Sequence, residues 1–468
     1  MIVPTKIAPR LAVSAVVGAL IVSILTIALF ATEFLPQSRV RANLQQSFAN
    51  GSLQDNDWPW EDRARGYNQY NDCLLTMMPM FREGRLSSAI APVVVFNDYP
   101  KDLKISECAI ARAAVFSANP RTLFNQDSYF PYYRYVHAYR IPFNILIAIT
   151  TVDVIRTIYR LLVLGILAVT IALHARRLIR SRFAHEPRAA IFSICSLCIA
   201  VGMGTFSGLD LFAQSLTHGP SDILVFGTFA ILTLGRTVRG LRSDATIAAL
   251  AALAFGFDFL HGTIPMTLAI VIGCAGLRAF EARTEVTLES IVKSVLPFFA
   301  GLAGAAATKL VILIAARGWD DIVGYYYQLR YRMDDGDHGI VDVVSALGGA
   351  LAHIAWGYAA FAKPFVILSL VITLCTPVAV LLLRVPVRDR VAVLTAWTSI
   401  VSIFCWYIVF RGHSAVHAPF MVRLLSWPIS MAPACVIMLL SSTEVGYKLN
   451  RLLGFVSPSR RPLSTDAS

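Results

Sequence analysis

Ionisable side chains occur at only a few points along an otherwise apolar chain, and their types suit group transfer. Asp72 and Glu33 each offer a carboxylate that could remove a proton from a hydroxyl nucleophile. Lys309 lies deep in an apolar segment, where inserting a charged side chain costs about 3 kcal/mol, so it is expected to be functional or paired. Charged and polar groups at membrane depth are by default functional or paired, so these residues are the first candidates for chemistry.

The other candidate residues are basic, imidazole or carboxylate side chains close to the ends of apolar segments. They are Arg134, His137, Arg140, Asp258, His261, Arg330, Arg411, His413 and His417. Separately, each has a structural explanation, such as a helix cap or a side chain that reaches the membrane interface. Because these groups are predicted to face one side of the membrane, together they favour a single polar cavity there.

Two of the richest sequence features stay open to two interpretations. Asp72 could be the catalytic carboxylate or a helix N-cap, a position that Asp fills well. The run 132–140 combines aromatic side chains with Arg134, His137 and Arg140. It could form an aromatic belt at the membrane interface. It could equally bind a phosphorylated lipid and a sugar, since Arg makes bidentate phosphate contacts and aromatic rings suit the apolar face of a sugar.

The elements that must position these residues are apolar segments long enough, or nearly so, to cross a bilayer. Hydrophobic residues make up 56% of the 468 residues, charged residues make up 15%, and the mean hydropathy is +0.62. These values are unusual for a soluble domain and typical of a multi-span membrane protein. The net charge of +12 does not indicate nucleic-acid binding, because the basic residues form short clusters beside the apolar segments.

The predicted fold class is therefore all-α, a polytopic membrane protein with about ten transmembrane helices. The predicted spans are 11–31, 157–175, 189–207, 222–235, 245–257, 263–277, 291–316, 364–383, 391–410 and 424–440. Every arginine-rich connection then lies on one side, which the positive-inside rule makes cytoplasmic together with both termini. The segment 343–361 is interpreted as interfacial, because a further span would place Arg384, Arg388 and Arg390 outside.

This topology divides the chain into four parts and indicates the inner (plasma) membrane as its location. Residues 1–31 form the N-terminus and first helix, and 32–156 form a large extracytoplasmic loop with amphipathic helices. Residues 157–440 hold helices 2–10, and 441–468 form a partly disordered cytoplasmic tail.

Cysteines and acidic residues give weaker signals. Cys73 and Cys108 both lie in the first loop, where an oxidising compartment would permit a disulfide, although two free thiols are equally compatible with the sequence. Asp334, Asp335 and Asp337 could ligate a divalent cation. A solvated loop explains these three residues better, so no metal site is assigned and no cofactor is certain.

Several short motifs resemble those of a group of bacterial multi-spanning proteins. Tyr133–Arg140 resembles an aromatic-His-Gly-Tyr-Arg motif, with Val136 in place of the usual Trp and Ala138 in place of the usual Gly. The group's other patterns occur in the same order here: Phe257-Asp258-Phe259-Leu260, Lys309, Gln328-Leu329-Arg330-Tyr331-Arg332 and His413-Ser414-x-x-His417. Asn71-Asp72 matches the group's loop signature only loosely.

The layout as a whole resembles the GT-C superfamily of membrane glycosyltransferases. This resemblance implies an inverting enzyme with a catalytic acidic residue in the first extracytoplasmic loop and a polyprenyl-phosphate sugar as donor. It implies transfer to a glycan, lipid or protein acceptor at the outer face. Asp72 is then the expected base and Glu33 its rival.

The same resemblance gives the remaining candidates their expected roles. The expected phosphate-binding residues are Arg134, His137, Arg140, Lys309 and Arg411. His413 and His417 would orient sugar or phosphate oxygens, Asp258 would bind sugar hydroxyls or hold His261, and Arg330 would contact substrate.

Three other functions remain as alternatives. A flippase or transporter of a lipid-linked glycan would share the polar intramembrane residues without needing a long ordered first loop. An O-antigen-ligase-like or polymerase-like enzyme usually carries its large loop late in the chain. A structural subunit would not need the clustered ionisable residues, whose insertion is costly.

Overall fold

The computed structural model describes residues 7–55, 69–95, 106–124, 128–133, 135–209, 213–235, 241–258, 262–282, 288–333, 362–383, 385–410, 414 and 421–443. Helices dominate these residues. They are α1 (Ile7–Thr32), α2 (Gln37–Ala49), α3 (Gln69–Met77), α4 (Leu86–Ile90), α5 (Glu107–Phe116), α6 (Arg140–Ile147), α7 (Val152–Phe183), α8 (Pro187–Phe206), α9 (His218–Leu234), α10 (Leu241–Phe257), α11 (Thr263–Ala282), α12 (Leu288–Arg317), α13 (Asp320–Met333), α14 (Ala362–Leu382), α15 (Val387–Val409) and α16 (Ser426–Ser441). Short 3₁₀ turns occur at Met78–Phe81, Pro120–Thr122 and Val422–Leu425.

Seven helices in the described part of the chain are long and apolar enough to cross a membrane. They are α1, α7, α8, α11, α12, α15 and α16. The prediction of a helical polytopic membrane protein is therefore confirmed. Each of the ten predicted spans coincides with a helix, but α9 and α10 have 17 residues each and the apolar part of α14 is limited to Ile367–Leu382, so the count of ten stays a prediction. The segment 343–361 lies outside the described residues.

Ion pairs join the helix ends that carry the arginine clusters. They are Arg10–Asp244 (2.6 Å), Arg188–Asp389 (2.9 Å) and Arg177–Glu281. These pairs connect the starts of α1 and α10, the starts of α8 and α15, and the ends of α7 and α11. These described arginines therefore lie at one end of the bundle, here called the arginine end.

A second layer, here called the loop layer and formed by the described residues between 33 and 151, covers the opposite end of the bundle, here called the loop end. It holds α2–α6 and a two-stranded antiparallel sheet of β1 (Val93–Val95) and β2 (Tyr129–Pro131), in which Val94 pairs with Phe130. A disulfide joins Cys73 in α3 to Cys108 in α5, which answers the question that the sequence left open. The core of this layer continues into Ile155 and Tyr159 of α7, so layer and bundle share apolar packing.

Helix α7 extends beyond the predicted span at both ends. It starts at Val152 rather than 157 and ends at Phe183 rather than 175. Hydropathy marked only the apolar middle, because polar residues such as Asp153 and Arg156 continue the same helix outside that stretch. The predicted boundary between the extracytoplasmic loop (32–156) and the transmembrane part (157–440) therefore falls inside α7.

Glycines bring α1 and α12 into close contact. A Cβ atom at Gly18 would lie 2.0 Å from the Gly301 carbonyl oxygen, and one at Gly304 would lie 2.0 Å from the Ala15 carbonyl oxygen. Larger side chains at these positions would separate the two backbones, as in other close helix pairs within membranes. This contact sets the spacing between α1 and Lys309, which lies five residues beyond Gly304 on α12.

Candidate functional site

A narrow cleft lies between α1 and α12 at the loop end of the bundle. Its walls are Val22, Thr26 and Leu29 on α1, Lys309, Ile312 and Leu313 on α12, and Ile90, Tyr133, Tyr135 and Val136 from the loop layer. The spacing of three to four residues within each helical set places its side chains on one helix face. The cleft is largely apolar, with one lysine and two tyrosines among its lining residues.

Lys309 is the cation that the sequence placed deep in the bundle, and it lines this cleft. Only 8% of its surface is exposed. Its ammonium nitrogen lies 4.4 Å from the ring centroid of Tyr325 and 5.9 Å from that of Phe255, so two aromatic faces stabilise the charge.

Glu33 directly follows the last residue of α1, Thr32, and its amide donates to the Phe30 carbonyl oxygen at 3.0 Å. Its carboxylate accepts hydrogen bonds from Arg140 Nη2 at 3.2 Å and from the Ser88 hydroxyl at 2.7 Å. Arg140 Nη1 also donates to the Ala89 carbonyl oxygen at 2.8 Å. Both side chains of the ion pair are buried. Two candidates from distant parts of the sequence are thus brought together beside the cleft.

Arg82 adds a second guanidinium to this pair and was not predicted from the sequence. Its three side-chain nitrogens are buried and have no hydrogen-bond partner in the described part of the chain. Burial, followed by the charge of Arg140, lowers the pKa of Arg82 to about 10, while Glu33 acts in the opposite direction. The sequence gives no signal for this role, since Glu83 beside it suggests an ordinary solvated turn.

His137 supports the loop layer and does not present a free ring nitrogen to the cleft. A carbonyl oxygen can only accept, so Nε2 donates to the Tyr132 carbonyl and Nδ1 accepts from the Tyr139 hydroxyl at 2.7 Å. Burial, with the nearby charges of Arg140 and Lys309, lowers the pKa of His137 well below 6.5. The geometry therefore disfavours the predicted direct contact with phosphate.

Asp72 occupies a closed site away from the cleft, although the sequence favoured it as the base. Its Oδ2 accepts from Arg156 Nη2 at 2.7 Å, and its Oδ1 accepts from the Ser215 hydroxyl at 2.9 Å and the Leu216 amide at 2.8 Å. Asp72 is fully buried, and this burial raises the pKa of its carboxyl while Arg156 opposes the shift.

Arg156 also donates to the Ser52 carbonyl oxygen, so the Asp72 pair ties together α3, α7 and the segments near Ser52 and Ser215. Asp72 lies in the first turn of α3. Both of its carboxylate oxygens are engaged by protein groups, which disfavours proton transfer from a substrate. The geometry favours a structural role for this pair.

A second polar cluster lies between helices at the loop end. Asp222 on α9 forms an ion pair with Arg423, which also bonds His218 Nδ1 at 2.8 Å. Asp222, Arg423, Ser207 and Thr263 contribute to the lining of a small cavity there. From the sequence, Asp222 is only the first residue of the predicted span 222–235, and Arg423 is not a predicted site residue. Both lie at the ends of apolar segments, which is the signal that could have identified them.

The remaining predicted site residues divide into three groups. Asp258 is buried, and its carboxylate accepts a hydrogen bond of 3.5 Å from the Ile264 amide near the start of α11. Arg330 is exposed on α13. Outside the described residues lie Arg134, His261, Arg411, His413 and His417. No group of three or more His, Cys, Asp or Glu side chains that could hold a metal ion occurs among the residues that the structure describes.

Comparisons with protein-family models, curated proteins and solved structures find no match to this chain. Any functional interpretation must therefore come from the fold and from the two polar clusters. Together they define a class: a helical polytopic membrane protein with a tyrosine-lined cationic cleft beside a buried glutamate–arginine cluster.

Proposed function

We propose that this protein is a GT-C-like membrane glycosyltransferase. It would move a sugar from a polyprenyl-phosphate donor to a hydroxyl of a glycan, lipid or protein acceptor. The observation that carries this proposal is the cleft between α1 and α12, where an apolar groove, a buried lysine and tyrosine rings adjoin a buried carboxylate. These are the kinds of surface that an isoprenoid tail, a phosphate, a sugar and an acceptor hydroxyl would each need.

Each part of the site has a chemical task under this proposal. Val22, Leu29 and Ile312 offer apolar surface to the tail, Lys309 attracts the phosphate, and the rings of Tyr133 and Tyr135 suit a sugar face. The acceptor oxygen attacks the anomeric carbon, and the bond from that carbon to the phosphate oxygen breaks. The polyprenyl phosphate leaves with the bonding electrons.

Glu33 is the base that we assign to the acceptor proton, ahead of Asp72. Glu33 directly follows α1 and bonds Arg140, which bonds the Ala89 carbonyl next to the cleft-lining Ile90. Asp72 instead bonds Arg156, Ser215 and Leu216, none of which lines the cleft. Removing the proton as the new bond forms is the part of the reaction that a carboxylate accelerates. Arg140 holds the Glu33 carboxylate in place through its hydrogen bond.

We also propose that the loop end faces the extracytoplasmic side of the plasma membrane and that both termini are cytoplasmic. The arginine clusters at the opposite end support this orientation through the positive-inside rule. The disulfide between Cys73 and Cys108 supports it independently, because disulfides persist mainly in oxidising compartments.

The test is turnover by the purified protein in liposomes supplied with a panel of labelled polyprenyl-phosphate sugars and membrane-derived acceptors. Lys309→Gln should lower transfer strongly, whereas Lys293→Gln on the same helix, far from the cleft, should not. Release of polyprenyl phosphate coupled to labelled product supports the proposal. Movement of intact donor across the bilayer without bond cleavage would identify a flippase instead. Incorporation of a preassembled oligosaccharide would indicate a ligase or polymerase.

A further inference from the structure

The buried cluster of Glu33, Arg140 and Arg82 carries more positive than negative charge. Glu33 contributes one negative charge, and the two arginines contribute two positive charges. Arg140 is bonded to Glu33 and to the Ala89 carbonyl oxygen. Arg82 has three buried nitrogens without a hydrogen-bond partner in the described part of the chain. The three residues together therefore hold a net charge of one positive unit inside the protein.

A buried, uncompensated guanidinium is expensive to maintain. Removing such an ion from water costs several kcal/mol even after the protein relaxes around it, and the cost is recovered only when an opposite charge and hydrogen-bond acceptors are supplied. Glu33 is already engaged by Arg140 and Ser88. The missing acceptors must therefore come from outside the cluster, which is the requirement that an anionic ligand would meet.

The surroundings of the cluster favour a phosphate. Two guanidinium groups offer planar sets of N–H donors that match the oxygens of phosphate in bidentate geometry. One phosphodiester, or one singly protonated phosphate, would neutralise the single excess charge. The cluster also adjoins the cleft: Arg140 bonds the Ala89 carbonyl next to Ile90, and Ile90 lines the cleft.

We propose that Arg82 and Arg140 form an oxyanion-binding site for a phosphate group at the loop end of α1. This site deepens the proposed function, on which it rests for the source of the phosphate, by naming a residue that would hold the donor or the departing polyprenyl phosphate. Arg82 supplies the hydrogen-bond donors that are free in the unliganded protein. Glu33 keeps Arg140 in position and limits the excess charge to one unit.

Binding measurements on the full-length protein in nanodiscs can test this site without any sugar transfer. The probes are polyprenyl phosphate, inorganic phosphate and the uncharged polyprenol, each titrated against wild type, Arg82→Gln and Arg85→Gln. Arg85 is the matched control, because it is an exposed arginine three residues away on the same turn. We expect Arg82→Gln to weaken phosphate binding roughly tenfold or more and Arg85→Gln to leave it unchanged. Binding of polyprenol should be the same in all three proteins.

Thermal unfolding in phosphate-free buffer separates a ligand-binding arginine from a structural one. Arg82→Gln should unfold at the wild-type temperature or above, since it removes a buried charge without a partner. Added phosphate should then stabilise the wild type but not the variant. Stronger binding of the lipid than of free phosphate would identify a headgroup site, and equal binding would identify a free-phosphate site. An unchanged affinity in Arg82→Gln, or its unfolding in phosphate-free buffer, would overturn the assignment. The absence of transfer alongside intact phosphate binding would count only against the glycosyltransferase.

Discussion

Two buried carboxylate–arginine pairs, Asp72–Arg156 and Glu33–Arg140, lie at the loop end of the bundle and differ in the charge beside them, because Arg82 adds a second guanidinium to the Glu33 pair. Asp72 balances Arg156 one to one, and its oxygens accept three hydrogen bonds from other segments. Glu33 shares its charge between Arg140 and Arg82, beside a cleft. The same chemistry thus yields a closed anchor in one place and an unsatisfied positive cluster in the other.

This difference shows why residue type alone does not identify a site. A buried ion pair is weak support for function when each group is bonded within the protein, since holding two segments together explains it fully. An excess of charge next to a cavity requires a further explanation. The surplus guanidinium, more than the carboxylate, therefore distinguishes the candidate site from the anchor.

The largest expected effect is on catalysis, from Glu33→Gln. The amide keeps the shape of the side chain but cannot accept the acceptor proton, so transfer should fall about 10²- to 10⁴-fold. Phosphate binding should persist or tighten, because the cluster then holds a greater positive charge. Transfer assays and phosphate titrations on the same preparation measure both effects. Glu83→Gln, at an exposed glutamate elsewhere in the loop layer, is the control. Normal turnover in Glu33→Gln would remove Glu33 as the base.

Asp72→Ala should act on stability instead. Leaving Arg156 buried without its carboxylate should cost about 3 to 5 kcal/mol of unfolding free energy. Thermal unfolding in detergent, with the wild type measured in parallel, detects a loss of that size. The double variant Asp72→Leu/Arg156→Met should recover much of the loss, because it removes both charges together. An Asp72→Asn protein that unfolds normally yet transfers no sugar would reverse the roles of the two carboxylates.

Much of the fold could be predicted from the sequence because apolar length and arginine position report directly on a membrane environment. All ten predicted spans coincide with helices, and the arginine-rich ends gather as expected. The sequence could not predict the start of α7 at Val152 or the two short strands. Polar residues such as Arg156 extend a helix beyond its apolar core, and strands of three residues leave no periodic signal.

The candidate site was predictable only in part. Lys309 was conspicuous because a lysine inside an apolar segment is costly, and Glu33 because it closes the first span. Asp72 is also a carboxylate in an apolar setting, but it forms a closed ion pair. The sequence could not show this, because its partners Ser215 and Arg156 are distant in the chain. The role of Arg82 could not be predicted from the sequence, because its burial depends on how the loop layer folds over α1. The sequence shows which polar groups are costly to bury, whereas tertiary contacts determine which of them find hydrogen-bond partners and opposite charges.

Removal of the disulfide tests whether the region around Asp72 can be destabilised without affecting the cluster of Glu33, Arg140 and Arg82. Replacing Cys73 and Cys108 by serine opens a link between residues 35 positions apart. Such a loss should cost about 2 to 4 kcal/mol. We expect a lower unfolding temperature with unchanged phosphate affinity at folding temperatures, because the link lies beside Asp72 and not beside Arg82. Reduction of the wild type should reproduce the shift. A parallel loss of phosphate binding would show that the two regions are coupled.

The smallest expected effect is on the pH dependence of stability and comes from His137, which lies near Arg140 in the Glu33 region. His137 is neutral in the folded protein because its pKa lies well below the ordinary value of 6.5. As the pH falls below that value, the unfolded chain binds a proton that the folded protein does not, so stability is lost by up to about 1.4 kcal/mol per pH unit. His137→Asn should reduce this slope, and Asn tolerates the left-handed backbone (φ 61°) at this position. Unfolding temperatures from about pH 7.5 to about pH 5 measure the slope in both proteins. Equal slopes would show that His137 already carries its proton in the folded state, which would add another positive charge beside Arg140 and Lys309.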